Sequence, residues 1–225
     1  MFTALKNISR LFTIARTLAR YDALWLLEEA GVASGVVTAA RIISKRNVEG
    51  RPGERIAKAL QELGPTFIKF GQALSTRSDL LGEEVAADLS ELQDHLPPFS
   101  AAEARSTIEQ EFGAKVEDMF TEFDWEPVAA ASIAQVHFAV TSEGEEVAVK
   151  VLRPKVEQAF AKDMALFHWV ADLVERTRPE LRRLKPVEVI ETFEETIRLE
   201  MDLRLEAAAA EEMAENFAED NPFRV

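Results

Sequence analysis

The stretch VAAASIAQVHFAVTSEGEEVAVKVLRP, Val128–Pro154, joins a loop of small residues to a lysine on an alternating apolar segment. Such a pairing can hold phosphates: backbone N–H groups of the loop approach the oxygens, and the ammonium adds positive charge. The glycine-loop pattern G-x-G-x-x-G-x-V, aligned so that its last position is Val136, places the three glycine positions on Ala129, Ala131 and Ala134. Alanine keeps the N–H but adds a methyl group and disfavours positive φ, so the loop is expected to be stiffer than a glycine loop. A glycine at Ala131 is accordingly expected to loosen it and raise nucleotide affinity. The bland alternative is a hairpin that happens to carry a lysine.

Val147-Ala148-Val149-Lys150 has the V-A-x-K form in which a strand lysine contacts α and β phosphates. Such a lysine needs an acidic partner from a helix, and Glu200, Asp202 and Glu206 are the candidates. Asp202 and Glu206, four apart, are expected on one helical face. Glu200 with Arg204 and Arg198 with Asp202 could equally be surface pairs. The 56-residue step from Lys150 to Glu206 requires an insertion between strand and helix.

Other chemistries have little support. There is no cysteine, which removes disulfides and thiolate sites and fits a reducing compartment. His95, His137 and His168 lie far apart and show no metal-ligand spacing. A net charge of −14 excludes a general nucleic-acid binder, because phosphate affinity needs clustered Lys and Arg. The charge is uneven: residues 1–60 hold ten basic and five acidic side chains. The first twenty residues carry Leu5, Ile8, Phe12, Ala15 and Ala19 at helical spacing, with Lys6, Arg10, Arg16 and Arg20. Three readings stay open for them: a helix lying in a lipid interface, an ordinary packed helix, or a transit peptide. The apolar run Ala30–Ala40, 11 residues, is shorter than the ~20 needed to span a bilayer.

The elements that must position these residues are mostly helical. Gly64 caps one helix and Pro65 opens the next, PTFIKFGQALSTRSDLL. A further helix runs to the stop at Pro97-Pro98, and Ser100 with Glu103 forms a capping box for another that ends at Gly113. From about Trp125 to Val151 the period changes to that of a hairpin turning at Ser142–Gly144. Helices resume with DMALFHWVADLVERTR and with one long helix from Pro186. The expected class is α+β: a protein-kinase-like N-lobe, with a small antiparallel sheet and an αC-like helix, preceded by a helical extension.

Taken together, Lys69-Phe70-Gly71-Gln72, the alanine-rich loop, the lysine strand, and Glu200-Met201-Asp202 with Glu206 resemble the UbiB family of atypical protein-kinase-like proteins. In that family the first and last strings are the KxGQ and ExD motifs, and the resemblance runs the whole length of the chain, closest to its bacterial ubiquinone-biosynthesis branch. It implies that Lys150 and Glu206 pair as the catalytic lysine and glutamate. It implies that Val128, Ala129, Ala130, Ala131, Ser132, Ile133, Ala134, Gln135 and Val136, with Lys150, bind ATP or ADP. It implies that the KxGQ helix folds over the protein-substrate site, with Lys69 and Gln72 facing Glu200 and Asp202; Gly71 belongs to the same regulatory set. Without the family, Lys69 and Gln72 read as a polar stripe. The segments expected are a basic N-terminus (1–50), the KxGQ extension (51–121) and the N-lobe (122–225).

No HRD or DFG string is present, so the catalytic-loop Asp, the main Mg2+ ligand and the family's C-terminal membrane helices are expected beyond this chain, which alone should lack catalysis. The resemblance implies a role in ubiquinone biosynthesis at the cytoplasmic face of a bacterial inner membrane, or a mitochondrial matrix face. The partners expected are a lipid surface and quinone-biosynthesis enzymes or quinone-precursor lipids. The alternative is a non-catalytic pseudokinase scaffold. Ring hydroxylation, suggested by the older family label 2-polyprenylphenol 6-hydroxylase, has no flavin or dinucleotide fingerprint behind it.

Overall fold

The structure, a computed structural model, describes residues 2–29, 34–43, 49–92 and 96–218. His95 and the last residues lie outside them. Nine helices precede the sheet: α1 (Phe2–Arg20), α2 (Trp25–Glu29), α3 (Ser34–Ile43), α4 (Pro52–Leu63), α5 (Pro65–Ser75), α6 (Ser78–Leu81), α7 (Glu83–Ser90), α8 (Ala101–Phe112) and α9 (Val116–Met119), counted among the described residues. The strands are β1 (Phe120–Phe123), β2 (Ala129–Ala130), β3 (Ala134–Thr141) and β4 (Glu146–Leu152). Then come α10 (Val156–Thr177), a 3-10 turn at Pro179–Leu184, α11 (Pro186–Met201) and α12 (Leu203–Asn216).

The α+β class is as expected. All strand pairs are antiparallel; β3 carries β1 and β2 along one edge and β4 along the other. The register opposes Val136 to Lys150 and Phe138 to Ala148. The sheet starts earlier than the hairpin signal suggested, because β1 follows directly from α9. Phe120 and Phe123 of β1 pack edge to face at 5.5 Å, and Phe123 lies 4.3 Å from the Trp125 ring.

Two expected helices are broken. The KxGQ helix stops at Ser75, where the Ser75 and Thr76 hydroxyls donate to the carbonyls of Gln72 and Ala73 and compete with the helical ladder. The single long helix expected from Pro186 divides at Asp202, whose backbone leaves helical values (φ −86°, ψ 86°) and whose carboxylate accepts from the Arg204 N–H. Asp202 therefore caps α12 and does not share a helical face with Glu206. The helix expected to run to Pro97 ends at Ser90. Local signals elsewhere fare better. The Ser100–Glu103 capping box forms, Gly113 closes α8 in the left-handed region, and Gly64, at φ +107°, lets α5 begin at Pro65.

The core has three parts. The largest unites Leu11, Ile14, Ala15 and Leu18 of α1 with α3, α4, α5, α7 and the α10 residues Leu166 and Val174. From Leu11 onward the N-terminal helix packs against the rest of the chain, while Ile8 is exposed. Two of its cations meet acids of the same molecule: Arg10 pairs with buried Asp163 of α10 at 2.9 Å, and Arg20 pairs with Glu62 of α4. Among the described residues no helix is long and apolar enough to cross a membrane. The second part joins Ile133 and Ala134 to Phe160, Met164, Phe193 and Ile197, with Phe70 of the KxGQ string wedged 5.0 Å from Phe167 and 5.4 Å from Phe193. The third joins Ile108 and Val116 to Val151, with Phe99 and Val149 beside them.

Candidate nucleotide-phosphate site

Lys150 extends from the exposed face of β4, and its Nζ donates to both carboxylate oxygens of Glu206 on α12, at 2.9 and 2.6 Å. The insertion demanded by the sequence interval is α10, the 3-10 turn and α11, which carry the chain around the sheet and return it to Lys150. The pair is exposed on both sides, and exposed ion pairs typically contribute only ~0–1 kcal/mol. Stability is a weak reason for it. Fixing the ammonium beside the open sheet face is a better one.

The structure brings Lys69 to Glu200, pairing the KxGQ helix with the end of α11. It does not bring Gln72 to Asp202. Gln72 lies one turn further along α5, beside the segment that follows α7, and its amide donates to the Leu92 carbonyl at 3.5 Å. Asp202 is engaged by both arms of the Arg204 guanidinium at 2.7 Å, a contact that holds its carboxyl below the usual range. The surface pairs expected from spacing are also exchanged: Arg204 takes Asp202, and Arg198 lies 3.6 Å from Glu194. Gly71 is buried where a Cβ would stand 2.5 Å from Leu60 Cδ1 and 2.8 Å from Leu92 Cδ2, so the third letter of KxGQ is set by close helix packing.

The alanine-rich segment is a tight hairpin turn. Ala129 and Ala130 form β2, the chain turns through Ala131–Ile133, and Ala134 begins β3; Ala131 N–H donates to the Ala134 carbonyl at 2.8 Å. Val128 is exposed, but the side chains of Ser132, Ile133, Ala134 and Gln135 are buried. These four are closed to a ligand in this arrangement, backbone as well as side chain, which corrects their reading as nucleotide-contacting residues. Gln135 instead organises the interior. Its Oε1 accepts from the Phe99 N–H at 3.0 Å, and its Nε2 lies 2.9 Å from His137 Nε2. With the Gln135 amide as donor, His137 Nε2 accepts, and the proton on Nδ1 is given to the Asp124 carbonyl at 2.8 Å.

Sequence reasoning missed Arg153, which donates to the carbonyls of Ala131, Ser132 and Pro97. Its guanidinium stacks 5.4 Å over the Phe99 ring. Burial lowers the Arg153 pKa, and Glu103 partly offsets that. The local signal is an arginine three residues after the strand lysine, but its partners come from segments 20 to 56 residues away and no spacing reports them.

A cleft of about 970 Å3 opens on the α12 side of Lys150, between α8, β4, α10 and α11, with Ile108, Met164, Ile197 and Met201 in its walls and Asp202 and Arg204 at its rim. None of residues 128–136 lines it, so the cleft and the alanine turn flank Lys150 separately. The exposed Lys150 ammonium is a donor that fits phosphate oxygens, whereas the turn amides are closed: Ala131 N–H is given to Ala134, and Ser132, Ile133 and Ala134 are buried. A magnesium site is not assembled: Glu206 is held by Lys150, Asp202 by Arg204, and the described residues contain no group of three or more His, Asp or Glu placed to hold a metal.

The ABC1 atypical kinase-like domain matches residues 91–225. The chain is 44% identical over 216 residues to "Probable protein kinase UbiB" of Pseudomonas aeruginosa PAO1, covering 93% of this chain and 40% of that protein. It is 48% identical over 170 residues to the protein of the same description from Marinobacter nauticus VT8, covering 76% and 31%. The chain thus spans about two fifths of the length of such relatives. A solved structure, the complex of Rv3197 with erythromycin from Mycobacterium tuberculosis, aligns with TM-score 0.48 and 29% identity over 81% of this chain and 44% of that one. With the domain match covering the sheet, α10, α11 and α12, the chain belongs to the UbiB family of ABC1 atypical kinase-like proteins.

Proposed function

We propose that this chain is the nucleotide-lysine part of an ATP-dependent atypical kinase or ATPase that supports ubiquinone biosynthesis at a membrane surface. One observation carries the nucleotide reading: the bidentate contact of Lys150 with Glu206, beside a small-residue turn, on a sheet whose Lys150 face also presents Phe138 and Ala148. Lys150 would neutralise phosphate charge, and Glu206 would hold the ammonium extended. ATP, or ADP after turnover, would bind there; ATP supplies the phosphoryl group. The Mg2+ that accompanies it has no site among the described residues.

The quinone-linked role, the lipid surface and the quinone-biosynthesis enzymes or precursor lipids as partners rest on family membership. The test of the nucleotide reading is calorimetric titration of MgATP into the full-length protein. Lys150→Ala should weaken binding at least tenfold, about 1.4 kcal/mol or more. Undiminished binding overturns the assignment. Binding without any turnover assigns the scaffold role.

A further inference from the structure

The sheet face that carries Lys150 stays open beyond the lysine itself. Side chains of directly paired residues, and of residues two apart on one strand, share a face, so the register sets out three rows there. The first row is Ala129, Val136 and Lys150, the second Phe138 and Ala148, and the third Glu122, Val140 and Glu146. The opposite face is the packed one: the His137 ring lies 5.3 Å from Phe123, and Val149 and Val151 pack in the core beside Phe99. Phe138, in the middle row, is 57% exposed and belongs to none of the three parts of the core.

A single exposed phenylalanine is ordinary on a protein surface. The surroundings of Phe138 are not. A cavity of about 600 Å3 opens at its side chain, with Ala148, Val140, Glu122, Asp124 and Glu146 in the walls, and a volume of this size takes a small ligand. Charge divides along the strands. Lys150 stands one row to one side of Phe138, about 7 Å away at the antiparallel rise, a step that a ribose bridges. Exposed Glu122 and Glu146 stand one row to the other side, where they repel phosphate. A nucleotide whose phosphates meet Lys150 is thereby turned so that its base lies over Phe138 and Ala148. The short Ala148 side chain leaves room beside the ring, and an aromatic face stacks with any base.

We propose that Phe138 is the base-stacking residue of the site: its ring carries the nucleobase of a nucleoside polyphosphate held by Lys150, and the row of Glu122 and Glu146 sets the direction in which that molecule lies. This rests on the nucleotide reading above. The test uses the full-length protein and compares ATP, by calorimetry, with tripolyphosphate, which has the charge and no base, by displacement of a fluorescent ATP analogue. Phe138→Ala should weaken ATP about tenfold and leave tripolyphosphate within about twofold. Phe138→Trp, which restores a stacking face, should keep ATP within about twofold of the parent, and ATP but not tripolyphosphate should quench the added indole emission. Unchanged ATP affinity in Phe138→Ala, equal losses for the two ligands, or a loss of ATP in Phe138→Trp as large as in Phe138→Ala overturns the proposal. If the parent loses ATP with Lys150→Ala while Phe138→Ala keeps the parental affinity, only this inference fails. If the parent binds no ATP, or Lys150→Ala binds it undiminished, the nucleotide reading fails and takes this inference with it.

Discussion

At the scale of single residues, charged side chains here do three different jobs, distinguished by what each touches. Glu206 fixes an ammonium, Asp202 caps a helix, and Glu103 closes a capping box while facing Arg153. The Ser100 hydroxyl and N–H hold the Glu103 carboxyl below its ordinary pKa. A carboxylate with a lowered folded-state pKa stabilises fully above its unfolded value and loses that contribution as pH falls through the folded one. Glu103→Ala should therefore lower Tm by a constant amount from neutral pH down to about pH 5, and the gap should close below about pH 4. Thermal melts of parent and variant across this range check it, and a gap that widens in acid contradicts it. This box was legible in the sequence because all its partners lie within four residues. Arg153 was not, because Pro97, Phe99 and the alanine turn are assembled around it only by the tertiary fold.

At the scale of elements, the KxGQ helix is a packing device as much as a polar stripe. Phe70 wedges against Phe167 and Phe193, Lys69 reaches Glu200, and Gly71 lets Leu60 and Leu92 close over the backbone. An alanine in an open helix interior stabilises by roughly 0.5–1 kcal/mol over glycine. At Gly71 the added methyl meets two leucine ends inside contact distance, and overpacking of this kind costs ~1–3 kcal/mol. Gly71→Ala should thus lower unfolding stability in chemical denaturation, and a gain would show that the leucines yield freely. Element boundaries were the least legible feature. Apolar periodicity continues through Leu199–Leu205, so nothing in the pattern marks the break at Asp202. That break in turn decides which carboxylate faces Lys150. The serine and threonine that end α5 act through hydroxyl contacts with their own helix, which periodicity does not register.

At the scale of the whole molecule, one large helical core locks α1 to the KxGQ extension and α10, while α12 contributes no buried residue. Its placement depends on the Asp202 junction and the Lys150–Glu206 contact, two surface attachments at the edge of a well-packed body. The order of helices, sheet and helices, and the need of Lys150 for a helical acid, could be read ahead of the structure because strand alternation and the V-A-x-K pattern are short-range signals; the choice of Glu206 among Glu200, Asp202 and Glu206 came only with the family resemblance. The exchange of partners around Asp202 and Gln72 could not. In the proposed reading Glu206 acts on nucleotide through Lys150. A double-mutant cycle of MgATP affinity in the full-length protein, with Lys150→Met, Glu206→Gln and both together, tests it most directly. Each single variant should weaken binding, and the double variant should bind no more weakly than Lys150→Met alone. Losses that simply add, or a Glu206→Gln variant that binds as the parent does, would contradict it.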